Sequence, residues 1–276
     1  MGRLGRLLLT SFVIFSLSGC ASAPPIFSDA FSTATDPITE ITVAAAADLQ
    51  FAFNEIAALF EEETGVRVNL VFGSTGLLTQ QIENGAPYDL IAAANIAYIE
   101  QLTAQSLVLP DSIQLYAQGR IVLAVNRSTG IHAASLTDLL KPEIRHVAIA
   151  NPEHAPYGMA AMQALQAVGV WEQLQPKLVY GENVRQALQY VQAGDAEAGV
   201  IALSVANVPE IEWTLIDGSL HAPLNQALAV VASSDQLELA ARFAAYINGE
   251  KGRPIMQRYG FILPDEEPLT AKDLQS

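Results

Sequence analysis

From Ile41 onward, short apolar runs alternate with stretches of helical periodicity. Such alternation predicts an α/β chain, in which strands form sheets whose faces are covered by the intervening helices. "ITVAAAA" reads as a strand, and "DLQFAFNEIAALFEEETG" as a helix with Asp48 as its N-cap and Gly65 past its end. "VRVNLVF" is the next strand, "LLTQQIENG" the next helix and "YDLIAAA" a third strand, followed by a helix near Ile96 to Ala104. "GRIVLAVN" then reads as a strand in which the chain changes lobe.

A second set follows the same plan. In "RHVAIANPEHAPYGMAAMQALQAVG" the strand covers His146 to Ala150, the turn holds Pro152 and Pro156, and the helix runs to Gly169. "KLVYGENVRQALQYVQAGDAEAGVIAL" repeats strand, Gly-Glu-Asn turn, helix, Gly194 and strand. At "NQALAVVAS" the chain returns to the first lobe, ending in "ELAARFAAYINGEKGRPIMQRYGFILP". The expected organisation is one lobe from residues 41–119 plus 226–276 and another from 120–225. Crossing strands between them leave a cleft, the place where open α/β sheets bind ligands.

Four strand-to-helix turns are built mainly from small or neutral residues. They run from Ala46 to Leu49, Gly73 to Leu77, Ala155 to Met159 and Glu182 to Arg185. Only Asp48, Glu182 and Arg185 carry charge there. Helix starts leave backbone N–H groups without internal partners, and the helix dipole favours negative charge beside them. One such turn is an ordinary capped helix; two from each lobe, pointing into one cleft, would hold an anion.

The N-terminal segment bears on compartment. "MGRLGRLLLTSFVIFSLSGC" places Arg3 and Arg6 ahead of an apolar run from Leu7 to Leu17, shorter than the roughly 20 residues of a spanning helix. It reads as an export signal over residues 1–19. Leu17-Ser18-Gly19-Cys20 resembles the lipobox of bacterial lipoproteins, which implies lipid on Cys20 and attachment to a membrane. Residues 20–40, rich in Ser, Thr, Ala and Pro, suit a tether. Cys20 is the only cysteine, so the exported chain can form no internal disulfide and offers no thiolate metal site.

Without residues 1–19 the chain has 29 acids against 12 bases, a formal charge of −17. Nucleic acid is excluded as a partner, because its binding needs clustered Lys and Arg. An anion site in so acidic a chain must work through short-range donors.

"ITVAAAADLQFAFNEIAALFEEETGVRVNLVFGSTGLLTQQIENGAPYDLIAAAN", with "NPEHAPYGMAAMQAL", "GENVRQAL" and the terminal "RYGFILP", resembles the molybdate-binding proteins of bacterial ABC importers. The resemblance spans Ile41 to Pro264. It implies a type II periplasmic-binding-protein fold, with two mixed sheets flanked by helices and a hinge between lobes. It further implies a monomer that closes on molybdate or tungstate through neutral donors, with no cofactor and no metal cation, and passes the anion to the membrane permease of an ABC transporter.

Carried over position by position, the resemblance places a ligand hydroxyl on Thr75, with the backbone of Ser74 and Gly76 beside it, and a backbone N–H on Val184. In the third turn it implies Tyr157, whose phenol replaces a tyrosine that other members carry where this chain has Ala202. The first turn, at Ala47 and Asp48, departs from the pattern, since many members have Ser, Thr or Asn where this chain has Asp48. An ionised carboxylate facing a dianion would be repelled by several kcal/mol in a dry site. Either Asp48 turns its carboxylate onto the N–H groups of Gln50 or Phe51 as a cap, or it is protonated and donates. Capping is the commoner role and is the expectation.

His132, His146, His154 and His221 share no ligand spacing, and surface or capping roles are expected for them, with His154 a candidate for indirect influence on the cleft. Arg185 is expected in a salt bridge outside the cleft. No nucleophile elbow, phosphate-cradling lysine loop or Cys/His cluster is present, so no catalytic residue is assigned. A receptor for another oxyanion, such as sulfate or phosphate, and an exported hydrolase using Asp48 or His154 as base, are the alternative readings.

Overall fold

A computed structural model describes residues 39–267 and Leu274. The export signal, Cys20 and the tether up to residue 38 lie outside the described residues.

The first half runs β1 (Glu40–Ala46), α1 (Gln50–Thr64), β2 (Arg67–Gly73), α2 (Thr75–Glu83), β3 (Leu90–Ala93), α3 (Ile96–Ala104), β4 (Gln114–Gly119) and β5 (Ile121–Asn126). There follow β6 (Val147–Ala150), α4 (Pro156–Ala167), the short α5 (Trp171–Leu174), β7 (Leu178–Gly181), α6 (Val184–Ala193), β8 (Ala198–Ala202), β9 (Ile211–Leu215), β10 (Leu224–Val230), α7 (Leu237–Ile247) and α8 (Gly252–Arg258). Two five-stranded sheets result, ordered β2-β1-β3-β10-β4 and β7-β6-β8-β5-β9. Each has three parallel strands joined to an antiparallel pair, the antiparallel partner being β10 in the first sheet and β5 in the second.

The inner strands β3, β5, β6 and β8 are buried from end to end because helices cover both faces, which is why they read as unbroken apolar runs rather than alternating ones. The helices carry the complementary stripe. In α6, Val184, Ala187, Leu188 and Val191 are buried at spacings of three and four, and Gly194 ends the helix in the left-handed conformation at φ 80°. Gly65 ends α1 in the same way at φ 71°. Beneath the first sheet, Phe60 meets Phe243 edge-on at 5.1 Å and Phe53 meets the same ring at 6.3 Å, fixing α1 against α7.

The structure departs from the sequence reading at the crossings. "GRIVLAVN" does not itself span the sheets: β5 lies wholly in the second, and the chain changes sheet at Arg120, in the bend after β4. It returns between Leu215 and Leu224. Two strands, β4 and β9, were not expected, for their "QLYAQG" and "IEWTL" mix polar with apolar residues. Both are edge strands.

Candidate anion-binding site

The parallel strands β1, β2, β6 and β7 each end in one of the four anticipated turns. All four turns meet around a single cavity, lined among others by Ala47, Asp48, Ser74, Thr75, Tyr157 and Val184. The free volume inside it is about 10 Å³, and neither lysine nor arginine lines it. A larger hollow of about 610 Å³ beside Arg127, Pro209 and Trp213 gathers no α-helix starts. The five expected ligand residues, Ala47, Asp48, Thr75, Tyr157 and Val184, therefore stand together.

The local reason these turns can donate is an unusual economy of capping. Neither α2 nor α4 has a side-chain cap at its start, and neither does the 3-10 turn Ala47–Leu49 or α1 behind it. Ser74, at the cap position of α2, spends its hydroxyl on His154 Nδ1 at 2.7 Å instead. Only α6 is capped, by Asn183, whose Oδ1 takes the N–H groups of Arg185 and Gln186 at 3.0 and 3.1 Å and leaves that of Val184. First-turn amides thus face a cavity without internal partners. The Thr75 hydroxyl accepts the Ala94 N–H at 3.0 Å, so its own proton remains available to a further acceptor.

Direct contacts join the two walls of the cleft. Gly76 donates its N–H to the His154 carbonyl at 2.9 Å, the Ser204 hydroxyl donates to the Asp48 carbonyl at 2.8 Å, and Arg185 Nε donates to Gln50 Oε1 at 2.9 Å. The Gly76 amide is thereby committed across the cleft rather than to a ligand. A Cβ at residue 76 would sit 2.7 Å from the His154 oxygen, so only glycine allows this approach. His154 acts on the cleft through these two bonds. Arg185 lies 4.9 Å over the Phe51 ring and bonds Gln50 and Gln192, not the carboxylate expected of a salt bridge.

Asp48 overturns the capping expectation. It sits inside the 3-10 turn, almost fully buried, and its carboxylate caps neither that turn nor α1 behind it. Oδ2 accepts the Tyr157 hydroxyl at 2.9 Å and Gln226 Nε2 at 2.8 Å, while Gln226 Nε2 is also 3.0 Å from the Tyr157 oxygen. Oδ1 is buried without a partner. Burial pushes the carboxyl up from 3.8 to about 6, against the opposing pull of the Gln226 and Tyr157 bonds and of the residue's own backbone N–H. Burial and the Asp48 charge push the Tyr157 phenol well above its ordinary value.

Gln226, on β10, is fully buried and was not singled out from sequence. A glutamine inside the apolar "NQALAVV" was the available signal, since a buried amide needs partners. Gly119 completes the niche: a Cβ there would lie 2.1 Å from the Tyr157 hydroxyl and 2.8 Å from Gln226 Nε2.

A cleft between two mixed α/β sheets, walled by helix starts from both and with no lysine or arginine lining its cavity, defines a two-lobed solute-binding protein of the type II periplasmic fold. The chain belongs to the family of bacterial extracellular solute-binding proteins, whose model matches residues 41–262. It is 34% identical over 229 residues to the molybdate-binding protein ModA of Azotobacter vinelandii, covering 81% of this chain and 90% of that one. The solved structure of the periplasmic molybdate-binding protein of that organism superposes with a TM-score of 0.77 at 30% identity, over 82% of this chain and all of the other. A putative ABC transporter substrate-binding lipoprotein of Bacillus subtilis, YvgL, is 28% identical over 92% of this chain and 95% of its own.

Proposed function

We propose that this protein captures molybdate, and tungstate with it, in the cleft and delivers the anion to the permease of an ABC importer. The observation that carries this reading is the meeting of four strand-to-helix turns, three of them without a side-chain cap, around a cavity with no cationic lining. Amides of the Ala47–Asp48, Ser74–Thr75 and Tyr157 turns, the Val184 amide and the Thr75 hydroxyl hold the oxygens. Charge-assisted hydrogen bonds contribute roughly 1.5–3 kcal/mol each, so about six exceed the ~8 kcal/mol of a micromolar complex even after ordering costs.

Residues 41–119 with the chain from β10 onward form one lobe and the segment from Arg120 to the start of β10 the other, hinged at the two crossings, and closure creates the surface that the permease reads. The protein works as a monomer, binding without chemical conversion, on the outer side of a bacterial membrane to which lipid on Cys20 ties it. The lipobox-like Leu17-Ser18-Gly19-Cys20 and the likeness to YvgL support the anchor. Calorimetric titration of the full chain in detergent with molybdate, tungstate, sulfate and phosphate tests the assignment. Molybdate should release heat and lose about 1–3 kcal/mol of affinity in Thr75→Ala; heat with sulfate and none with molybdate would overturn it.

A further inference from the structure

The Asp48 carboxylate is an oddity for a site meant to hold a dianion. It lines the cavity, yet an ionised carboxylate accepts hydrogen bonds and donates none. Its two oxygens are not equivalent. Oδ2 already has two donors, Tyr157 and Gln226, while Oδ1 is buried with none. A proton on Oδ1 resolves both difficulties: the neutral carboxyl keeps Oδ2 as acceptor for the two fixed donors and turns Oδ1 into a hydroxyl that can donate to an anion oxygen.

We infer that anion capture takes up a proton at Asp48, whose Oδ1 then joins the donor set, and that Tyr157 and Gln226 are the positioning residues that hold the carboxyl in this orientation. This rests on the proposed oxyanion-binding function and deepens it. In charge terms, the dianion and one proton enter together, so the closed site gains one negative charge rather than two.

The groups facing Asp48 leave it as the group that titrates. Tyr157 from α4 and Tyr116 from β4 are buried phenols, both pushed well above their ordinary value. Gln226 from β10 and Ser204, whose hydroxyl bonds the Asp48 carbonyl, are neutral. Arg120, near Tyr157, and Arg185, bonded to Gln50, are permanent cations. His154, which reaches the cleft through Ser74, and Glu182, exposed at the head of the fourth turn, are the other side chains there that can carry charge.

Without anion, the carboxyl is raised to about 6, and a bound dianion raises it further. Binding therefore favours the protonated form, and affinity should fall as pH rises. From about pH 6 upward, until the pKa of the bound state is reached, it should drop by up to about tenfold per pH unit.

The experiment is titration of the full chain in detergent with molybdate between about pH 5 and about pH 8, in pairs of buffers that differ in ionisation enthalpy. The difference in heat between paired buffers counts protons directly. Uptake approaching one proton per molybdate near about pH 7, with the falling affinity described, supports the inference. In Asp48→Asn the side-chain oxygen still accepts from Tyr157 and Gln226, and its amide replaces the hydroxyl. That variant should take up no proton and should bind more tightly than wild type at about pH 8 by about tenfold or more. His154 is unchanged in it, so pH dependence that persists in Asp48→Asn would move the proton elsewhere and overturn the assignment. Binding of molybdate by the wild type with no proton uptake also overturns it while leaving the oxyanion function standing. Failure of every anion to bind at any pH removes the parent reading.

Discussion

Asp48→Asn should raise the stability of the ligand-free protein, and by an amount that depends on pH in a defined way. A carboxyl at 3.8 in the unfolded chain and about 6 in the folded one binds more protons when folded throughout that interval. Stability then falls as pH rises from about 4 to about 6, and above this the folded state carries the full penalty of an ionised, buried carboxylate. The interval corresponds to about 3 kcal/mol, at about 1.4 kcal/mol per pKa unit. Asparagine is isosteric with the protonated acid and has nothing to ionise. The variant should therefore match wild type near about pH 4 and exceed it by up to about 3 kcal/mol near about pH 8. For a domain of this size each kcal/mol moves Tm by roughly 2–4 °C, so differential scanning calorimetry should show a gap of roughly 6–12 °C opening with pH. A gap that is constant across pH, or a variant less stable than wild type at about pH 8, would refute the argument that burial dominates over the Gln226 and Tyr157 bonds.

Three further perturbations probe neighbouring parts of the same architecture. Gly119→Ala places a methyl 2.1 Å from the Tyr157 hydroxyl and 2.8 Å from Gln226 Nε2, which must both move; denaturant titration should show a loss of about 1–3 kcal/mol, and molybdate affinity should fall with it. Gly76→Ala drives a Cβ to 2.7 Å from the His154 carbonyl oxygen and breaks the N–H hydrogen bond between the walls, so affinity measured by calorimetry should weaken about tenfold or more. Glu197, nearly buried, accepts the N–H groups of Arg145 and His146 at 3.0 and 2.8 Å and the Arg145 guanidinium at 2.9 Å, tying the starts of β6 and β8 together. Burial raises its carboxyl, but these bonds outweigh burial and hold it below 4.5. Its contribution is present above about pH 4.5 and fades as the group protonates on acidification. Glu197→Gln should cost about 1–3 kcal/mol at neutral pH in urea unfolding, and less in acid.

How far the site could be read from sequence depended on whether each contact was local in the chain. The turns after β1, β2, β6 and β7 are legible because a buried parallel strand, a run of small residues and a helical period follow one another within about a dozen residues, and each step leaves its own compositional mark. Thr75 and Val184 fall in place with the turns that carry them. The Asp48 error is of a different kind. An aspartate two residues before a helix reads as its cap on local grounds, and nothing within ten residues contradicts that reading. The carboxylate is drawn the other way by Tyr157, 109 positions on, and by Gln226, 178 positions on, residues that meet only when the second lobe and the returning strand β10 are in place. Gly119 was passed over for the same reason, since the need for a missing side chain there is set by a phenol from the other lobe. Helix starts supply an anion site through the backbone, which any sequence of suitable period can build. The Asp48 carboxyl is set by side chains whose positions follow from tertiary packing, so its surroundings became readable only with the fold.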